Sequence, residues 1–310
     1  MSIYIVKRMV LAFLLLIIIS LVTFAFINLS PLNPAVVVLQ AQGIPDITEE
    51  LIRQTEQQLG LDRPFFVRYL DWGMACLQLD FGHSYVTNQP VWSTLGPAFV
   101  NTFKLTLVSS IAIMIVSVVL GVICALQVGK KVDKTVRGIA FILTAMPSYW
   151  LAALMIWYFS VQLDWLPTSG MDSYRSYILP VLIITISYAG IYFRNVRSSM
   201  LSNMNKDYVL YGRASGLKES VVMMHILRNS LQVAISIFCM AIPIILGSTV
   251  VIENVFAWPG LGSLSIRAIL SRDFPVIQAY VLILAISFVI FNAISDMINA
   301  AMNPRLRNGL

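Results

Sequence analysis

Charge is what this chain has least of. Charged residues make up only 12% of its 310 positions, about half the share of a soluble domain, which is roughly 25%. Histidine occurs twice, as His83 and His225, too far apart to form a metal-binding cluster. The three cysteines, Cys76, Cys124 and Cys239, show neither CxxC nor any metal-ligand spacing. That pattern excludes a disulfide framework and points to packing roles. No GxxxxGK[ST] phosphate loop occurs, and Gly129-Lys130-Lys131 does not approach one. HExxH, GxSxG and GxGxxG are absent as well, so covalent and metal-assisted catalysis have no candidate residues. The sequence predicts no metal site and no cofactor bound by this chain.

What the chain does have is apolar surface, with 58% hydrophobic residues and a mean hydropathy of +0.80. That is too much for a chain burying a single core, and it predicts an all-α integral membrane protein. A membrane helix needs about 20 mainly apolar residues. Six apolar stretches are read as spans, over about 9–29, 102–127, 138–163, 178–193, 231–252 and 279–302, the fourth being the shortest. Lys7 and Arg8 precede the first as in a signal peptide. Its apolar run exceeds a cleavable core of roughly 7–15 residues and no A-x-A-like site follows, so it reads as a retained helix.

Six spans put both termini on one side. That side holds 14 of the 21 Lys and Arg residues, in the N-terminus, the 128–137 loop, the 194–230 loop and the tail. The opposite side holds six, and Lys104 lies near the start of span two. The basic excess marks the cytoplasmic face, with N- and C-termini inside. The net charge of +6 is thereby accounted for by topology, without a nucleic-acid partner. Carriers driven by protons usually place carboxylates within the bilayer. Here Asp296 is the single candidate, close to the cytoplasmic end of span six, where pairing with Arg305 or Arg307 gives it a structural role.

Residues 30–98 form an extracytoplasmic segment with seven of the fifteen acids. Asp46 and Thr48 offer helix N-caps, Glu49 and Glu50 favour a first turn, and Gly60 is a C-terminal stop. Phe65, Phe66, Tyr69, Leu70, Gly73 and Leu77 then recur at helical spacing, which suits an interfacial helix. The segment reads either as a solvated cap on the outer helix ends or as a landing surface for an extracytoplasmic partner.

On the cytoplasmic side, DYVLYGRASGLKESVVMMHILRNSL runs from Asp207 to Leu231. Asp207 is placed to cap a helix over 208–215, Gly216 to take a left-handed turn, and Ser220 to cap a second helix leading into span five. This is either a lever between a cytoplasmic body and the membrane or an amphipathic connector on the lipid headgroups.

The stretch YGRASGLKESVVMMHILRN resembles the "EAA" loop of type I ABC-importer membrane subunits. It lacks the opening Glu and closing Leu-Pro of that pattern, a departure typical of the dipeptide, oligopeptide and nickel branch. Leu79-Asp80-Phe81-Gly82-His83-Ser84-Tyr85 with Gln89-Pro90-Val91, Glu253 to Gly262, Arg272 to Gln278, and Asn303-Pro304-Arg305-Leu306-Arg307 resemble further blocks of the same branch, in order along the chain. The wording is most similar to nickel and metallophore importers.

The resemblance implies the type I permease fold with six transmembrane helices. It divides the chain into an N-terminal helix (1–29), the extracytoplasmic segment (30–98), a five-helix transmembrane domain (99–302) with a coupling loop (195–230), and a cytoplasmic tail (303–310). It implies a non-catalytic subunit forming half of a translocation path. Its partners would be a second permease subunit, two ABC ATPase subunits carrying ATP and Mg, and an extracytoplasmic substrate-binding protein. The ATPase contact would fall on Tyr211, Gly212, Arg213, Ala214, Ser215, Gly216, Leu217, Lys218 and Arg228. Pro147 and Pro243 are candidate kinks, where freed carbonyls can face a cavity. Trp258, Pro259, Gly260 and Gly262 form either an outer gate or binding-protein contact, or a tight surface turn. Nickel or a metal chelate is the expected cargo, and a chelated metal needs no protein ligands. Di- or oligopeptide import by the same mechanism stays open, as does an ATP-independent channel or ion-coupled carrier.

Overall fold

The computed structural model describes residues 2–29, 33–239 and 241–302, and for 2–9, 233, 236 and 299–302 it describes the backbone only. Among the described residues the chain is helical, with α1 (Ser2–Asn28), α2 (Pro34–Ala41), α3 (Glu49–Gln58), α4 (Phe65–Leu77), α5 (Val91–Leu126), α6 (Lys131–Ala145), α7 (Ser148–Met155), α8 (Ile178–Met204), α9 (Asp207–Ala214), α10 (Glu219–Cys239), α11 (Ile242–Val255), α12 (Leu261–Leu270) and α13 (Phe274–Met302). A π-helical stretch over Ile156–Gln162 continues α7, and a short 3₁₀ turn over Tyr174–Tyr177 precedes α8. The only extended pairing among these residues is a single bridge between His83 and Pro90.

The chain divides into two compact units. The first comprises residues 1–101 and 259–289. Its core gathers Phe81, Val91, Leu95, Leu261, Val276 and Ala279. Thr48 caps α3 by accepting from the Leu51 N–H, and Gly60 follows the end of α3 at φ 65°. The cap belongs to Thr48 and not to Asp46. Helix α2 was not foreseen, although Asn33 followed by Pro34 is a start signal: the Asn33 side chain accepts from the Ala35 N–H and Pro34 fills the first turn. Helix α12 also departs from expectation, lying where the reading had only a connection after Trp258.

The second unit comprises residues 102–258 and those from 290 onward. Leu105, Ile113, Leu179, Ile183, Ile245, Phe256 and Trp258 form its main core. Near the basic loops a smaller cluster of Ala125, Met200, Val209, Val222 and Ile226 ties α9 and α10 to α8 and the end of α5. Helices α6 and α8 approach closely at Gly190, where any Cβ would collide with the Thr144 hydroxyl and come within 3.3 Å of the Ala140 carbonyl oxygen. Small residues at such crossings let helix backbones meet in a membrane, where van der Waals packing drives association.

Among the described residues five helices are long and apolar enough to cross a membrane: Val10–Asn28, Val91–Leu126, Tyr174–Met204, Glu219–Cys239 and Phe274–Ile298. A sixth crossing exists only if Lys131–Ala145 and Ser148–Gln162 act as one span, and that pair bends by 101°. The expected third span is therefore two helices rather than one kinked helix. Pro147 is the N-cap of α7 and its carbonyl accepts from the Trp150 and Leu151 N–H groups at 3.1 Å, so it starts a helix instead of bending one. In the fifth stretch α10 is described to Cys239, and Pro243 lies in the first turn of α11, where a missing N–H costs no helical bond.

Candidate functional site

The residues expected at the coupling loop are brought together in one structure. Helix α9 starts at Asp207 with Lys206 as its N-cap residue, so Asp207 is the first helical residue and not the cap. Helix α10 starts at Glu219, which places Ser220 inside it. Between them the Leu217 N–H donates to the Gly212 carbonyl and the Gly216 N–H to the Arg213 carbonyl, both at 3.1 Å. This pair of bonds is a Schellman closure, and it requires a left-handed residue just past the helix. Gly216 supplies it at φ 76°.

An ion pair crosses the same turn. Arg213 donates from Nη2 to Glu219 Oε1 at 2.5 Å and from Nε to Oε2 at 3.1 Å. Glu219 pushes the Arg213 guanidinium above its already high ordinary pKa, through these hydrogen bonds first and charge second. Both side chains are more than half exposed, so the pair adds little stability. Its two contacts span the turn between α9 and α10. Gly216 therefore sits in a hydrogen-bonded, closed corner.

The corner is anchored below and open above. Val209, Val222 and Ile226 are buried. Asn203 on α8 donates to Ser230 Oγ on α10 at 3.2 Å, and Ser199 Oγ donates to the Ser230 carbonyl at 3.2 Å. Above, Tyr211, Arg213, Ala214, Ser215, Gly216, Leu217, Lys218 and Arg228 are all exposed, with Gly212 half-buried. Leu210, Tyr211 and Met224 are apolar groups with 63–78% of their surface open.

A second constellation was missed. Asp133, in the first turn of α6, is wholly buried. Arg197 of α8 donates from Nε to Oδ1 at 2.8 Å and from Nη2 to Oδ2 at 2.9 Å. The Gly129 N–H reaches Oδ2 at 3.0 Å, and Arg137 Nε lies 3.2 Å from Oδ1. A lone acid among four cations of the 128–137 loop was the available sign.

Two other acids inside the quoted blocks are also buried. Glu253 is inaccessible and accepts from Thr102 Oγ1 at 2.6 Å and Thr249 Oγ1 at 3.2 Å. Asp273 accepts from the Ser84 hydroxyl and, at 3.0 Å, from the Tyr85 N–H, pinning the 79–91 block to the start of α13. Burial pushes the Tyr85 phenol above its ordinary pKa, with Arg68 opposing and Asp273 adding to the shift, so it stays neutral.

Trp258 is not at a surface turn. It is wholly buried and its ring meets Tyr177 edge to face at 4.6 Å, while its backbone N–H donates to the Glu253 carbonyl at 2.7 Å. Gly260 is the N-cap residue of α12, and its carbonyl accepts from the Leu264 N–H at 3.0 Å. Gly262 is buried in the first turn and Pro259 is exposed. Pro147 is exposed and Pro243 buried, on different helices of the second unit. Asp296 is partly buried, and its expected partners Arg305 and Arg307 lie outside the described residues. Among the described residues no group of three His, Cys, Asp or Glu side chains is placed to hold a metal ion.

Comparison with known proteins covers nearly the whole chain. Residues 117–308 match the family described as "Binding-protein-dependent transport system inner membrane component", and residues 1–106 match its N-terminal companion. The chain is 56% identical over 306 residues to the metal-staphylopine import system permease protein CntB of Staphylococcus aureus (strain NCTC 8325 / PS 47), covering 99% of this chain and 98% of the relative. It is 34% identical over 305 residues to the glutathione transport system permease protein GsiC of Escherichia coli (strain K12), covering 98% of each. Among solved structures, a chain of the inward-facing MetNI methionine ABC transporter matches with a TM-score of 0.58 at 19% identity, over 68% of this chain and 96% of that one. At that identity the likeness concerns the fold alone.

Proposed function

The chain belongs to the family of binding-protein-dependent transport system inner membrane components, and from that premise we propose that it is half of the translocation path of an ATP-driven importer for a metal held in an organic chelate. The cargo assignment leans on the staphylopine permease, which shares 56% of its residues over nearly the whole chain. A cargo already coordinated by its chelator needs no ligand set from the path.

The observation that carries the mechanism is the closed corner at Gly216. A transporter powered by a separate ATPase must carry motion from a soluble body into the membrane. A corner closed by a Schellman pair and a two-point ion pair transmits displacement instead of absorbing it, and α10 continues directly into apolar helix. Exposed Leu210, Tyr211 and Met224 beside Arg213 and Lys218 suit an apolar cleft with an acidic rim on that body. In this reading the termini and the 194–230 loop are cytoplasmic, and the chain itself is non-catalytic. ATP and Mg sit on two ATPase subunits, a second permease completes the path, and an extracytoplasmic binding protein delivers the cargo.

Peptide import by the same machinery is the second reading, favoured by the 34% identity to the glutathione permease. The test has two arms. An affinity-tagged chain solubilised in mild detergent is expected to retain an ATPase subunit, and isolation without one overturns the importer reading. In a deletion strain, restoring the gene is expected to restore uptake of labelled nickel presented with a metallophore but not of labelled dipeptide. The reverse pattern transfers the cargo assignment to peptides.

A further inference from the structure

Helix α4 carries more apolar surface than the protein covers. Phe65, Tyr69 and Trp72 pack their rings around Phe24 of α1, at centroid separations of 5.4–5.6 Å. A second stripe of Phe66, Leu70, Met74 and Leu77 leaves 61–80% of each side chain open. At 100° per residue these four fall within an arc of about 80°. Asp71 lies beyond one edge of the stripe and is paired with Arg63 at 3.3 Å. The Arg68 guanidinium stays 5.9 Å from the Phe24 ring centroid. The helix is thus apolar over more than half its circumference and polar over the rest.

Its depth says what covers the stripe. The candidate span on α1 runs from Val10 to Asn28, so its centre is near residue 19. The Tyr69 hydroxyl lies 2.8 Å from Ser20 Oγ and donates to the Ile17 carbonyl at 3.4 Å. At 1.5 Å per residue Ser20 is about 12 Å, and Phe24 about 6 Å, inside the C-terminal end of the span. Contacts so far in cannot be made by a helix resting in water above the bilayer. Neighbouring α1 residues Ile18, Val22 and Phe26 also leave 45–72% of their surface open. The stripe therefore continues a surface that already faces hydrocarbon. With 13 residues, α4 extends about 20 Å, too short to cross.

We propose that α4 is a monotopic helix sunk into the leaflet at the C-terminal end of α1, with Phe66, Leu70, Met74 and Leu77 against acyl chains and the Asp71 edge toward water. Its occupant is lipid, and the stripe is not a landing surface for a binding protein. The inference rests on α1 crossing the membrane and is independent of cargo and of ATPase docking, so its failure leaves the proposed function standing.

The test uses the full chain in phosphatidylethanolamine/phosphatidylglycerol vesicles. In a background with the three cysteines replaced by Ala, single variants Leu70→Cys, Met74→Cys and Asp71→Cys carry a nitroxide. The ratio of oxygen to chromium oxalate collision is expected to be several-fold higher at positions 70 and 74 than at 71. Equal ratios at all three overturn the proposal. The unaltered chain provides a measurement free of substitutions: a phospholipid with a diazirine on its acyl chain is expected to label both α1 and residues 66–77. Labelling of α1 without α4 also overturns it.

Discussion

Asp133 shows what a sequence count of charges leaves out. Lys130, Lys131, Lys134, Arg137 and Arg197 entered the reading as markers of orientation, each one basic residue among others. In the structure Arg197 and Arg137 serve a fully buried carboxylate, and the Gly129 N–H completes its shell. Pairing across 64 positions has no local pattern, so the ion pair was invisible while its charges were plain. Removing one member of a buried pair typically costs about 3–5 kcal/mol, because the remaining charge is left without compensation. Asp133→Ala is therefore expected to unfold well below the parent on heating in detergent, while Asp133→Ala combined with Arg197→Met recovers part of the loss. Fluorescence-detected size exclusion after a temperature ramp reads both. A single variant within about 2 °C of the parent, less than 1 kcal/mol is expected to produce in a domain of this size, would show that the pair is not structural. Glu253 and Asp273 make a similar point from inside recognisable blocks. Their wording was legible, but the partners that hold them, Thr102 and Ser84, lie more than 150 positions away.

At the scale of elements, the corner between α9 and α10 was the most legible feature. Gly216 in a short polar stretch between apolar runs signals a left-handed turn, and the turn is there at φ 76°. The closing bonds, from Leu217 to Gly212 and from Arg213 to Glu219, depend on register rather than composition and had no signal in the sequence. Span three was legible as apolar length, with Pro147 marking a candidate kink, but not as two helices bent by 101°, since hydropathy carries no record of direction. The corner yields a discriminating pair of variants. A Cβ at Gly216 meets nothing within 4 Å, and the residue is exposed, so the first side-chain atom is accommodated without a clash. Any non-glycine residue shares the same left-handed strain, about 1–2 kcal/mol. Gly216→Ala is expected to keep most ATP-driven uptake, and Gly216→Glu to lose it at equal membrane abundance, because only the acid alters the exposed surface. Equal loss in both would assign the effect to strain in the turn, and full uptake by Gly216→Glu would remove this corner from the ATPase contact.

For the whole molecule the open structural matter is whether the bent pair α6–α7 crosses the membrane. Among the described residues five single helices have the length and composition to cross, and an odd number of crossings would place the termini on opposite sides. The charges discriminate between the two topologies. If the pair crosses, 14 basic residues share the side of the N-terminus and six lie opposite. If it re-enters instead, every later loop changes side, leaving nine on the N-terminal side and 11 on the other. The basic bias that fixes orientation would then vanish. A crossing pair is accordingly the arrangement that the charge distribution supports, with the bend accommodated where Pro147 opens α7. Intact cells provide the measurement. With native cysteines replaced by Ala, Asp46→Cys and Ser169→Cys are expected to react with a membrane-impermeant maleimide from outside, and Lys206→Cys only after permeabilisation. All three positions are exposed, so accessibility reports sidedness and not burial. Labelling of Lys206→Cys in intact cells with Ser169→Cys protected would make α6–α7 re-entrant. It would also place the α9–α10 corner on the side of the membrane where no ATPase can reach it.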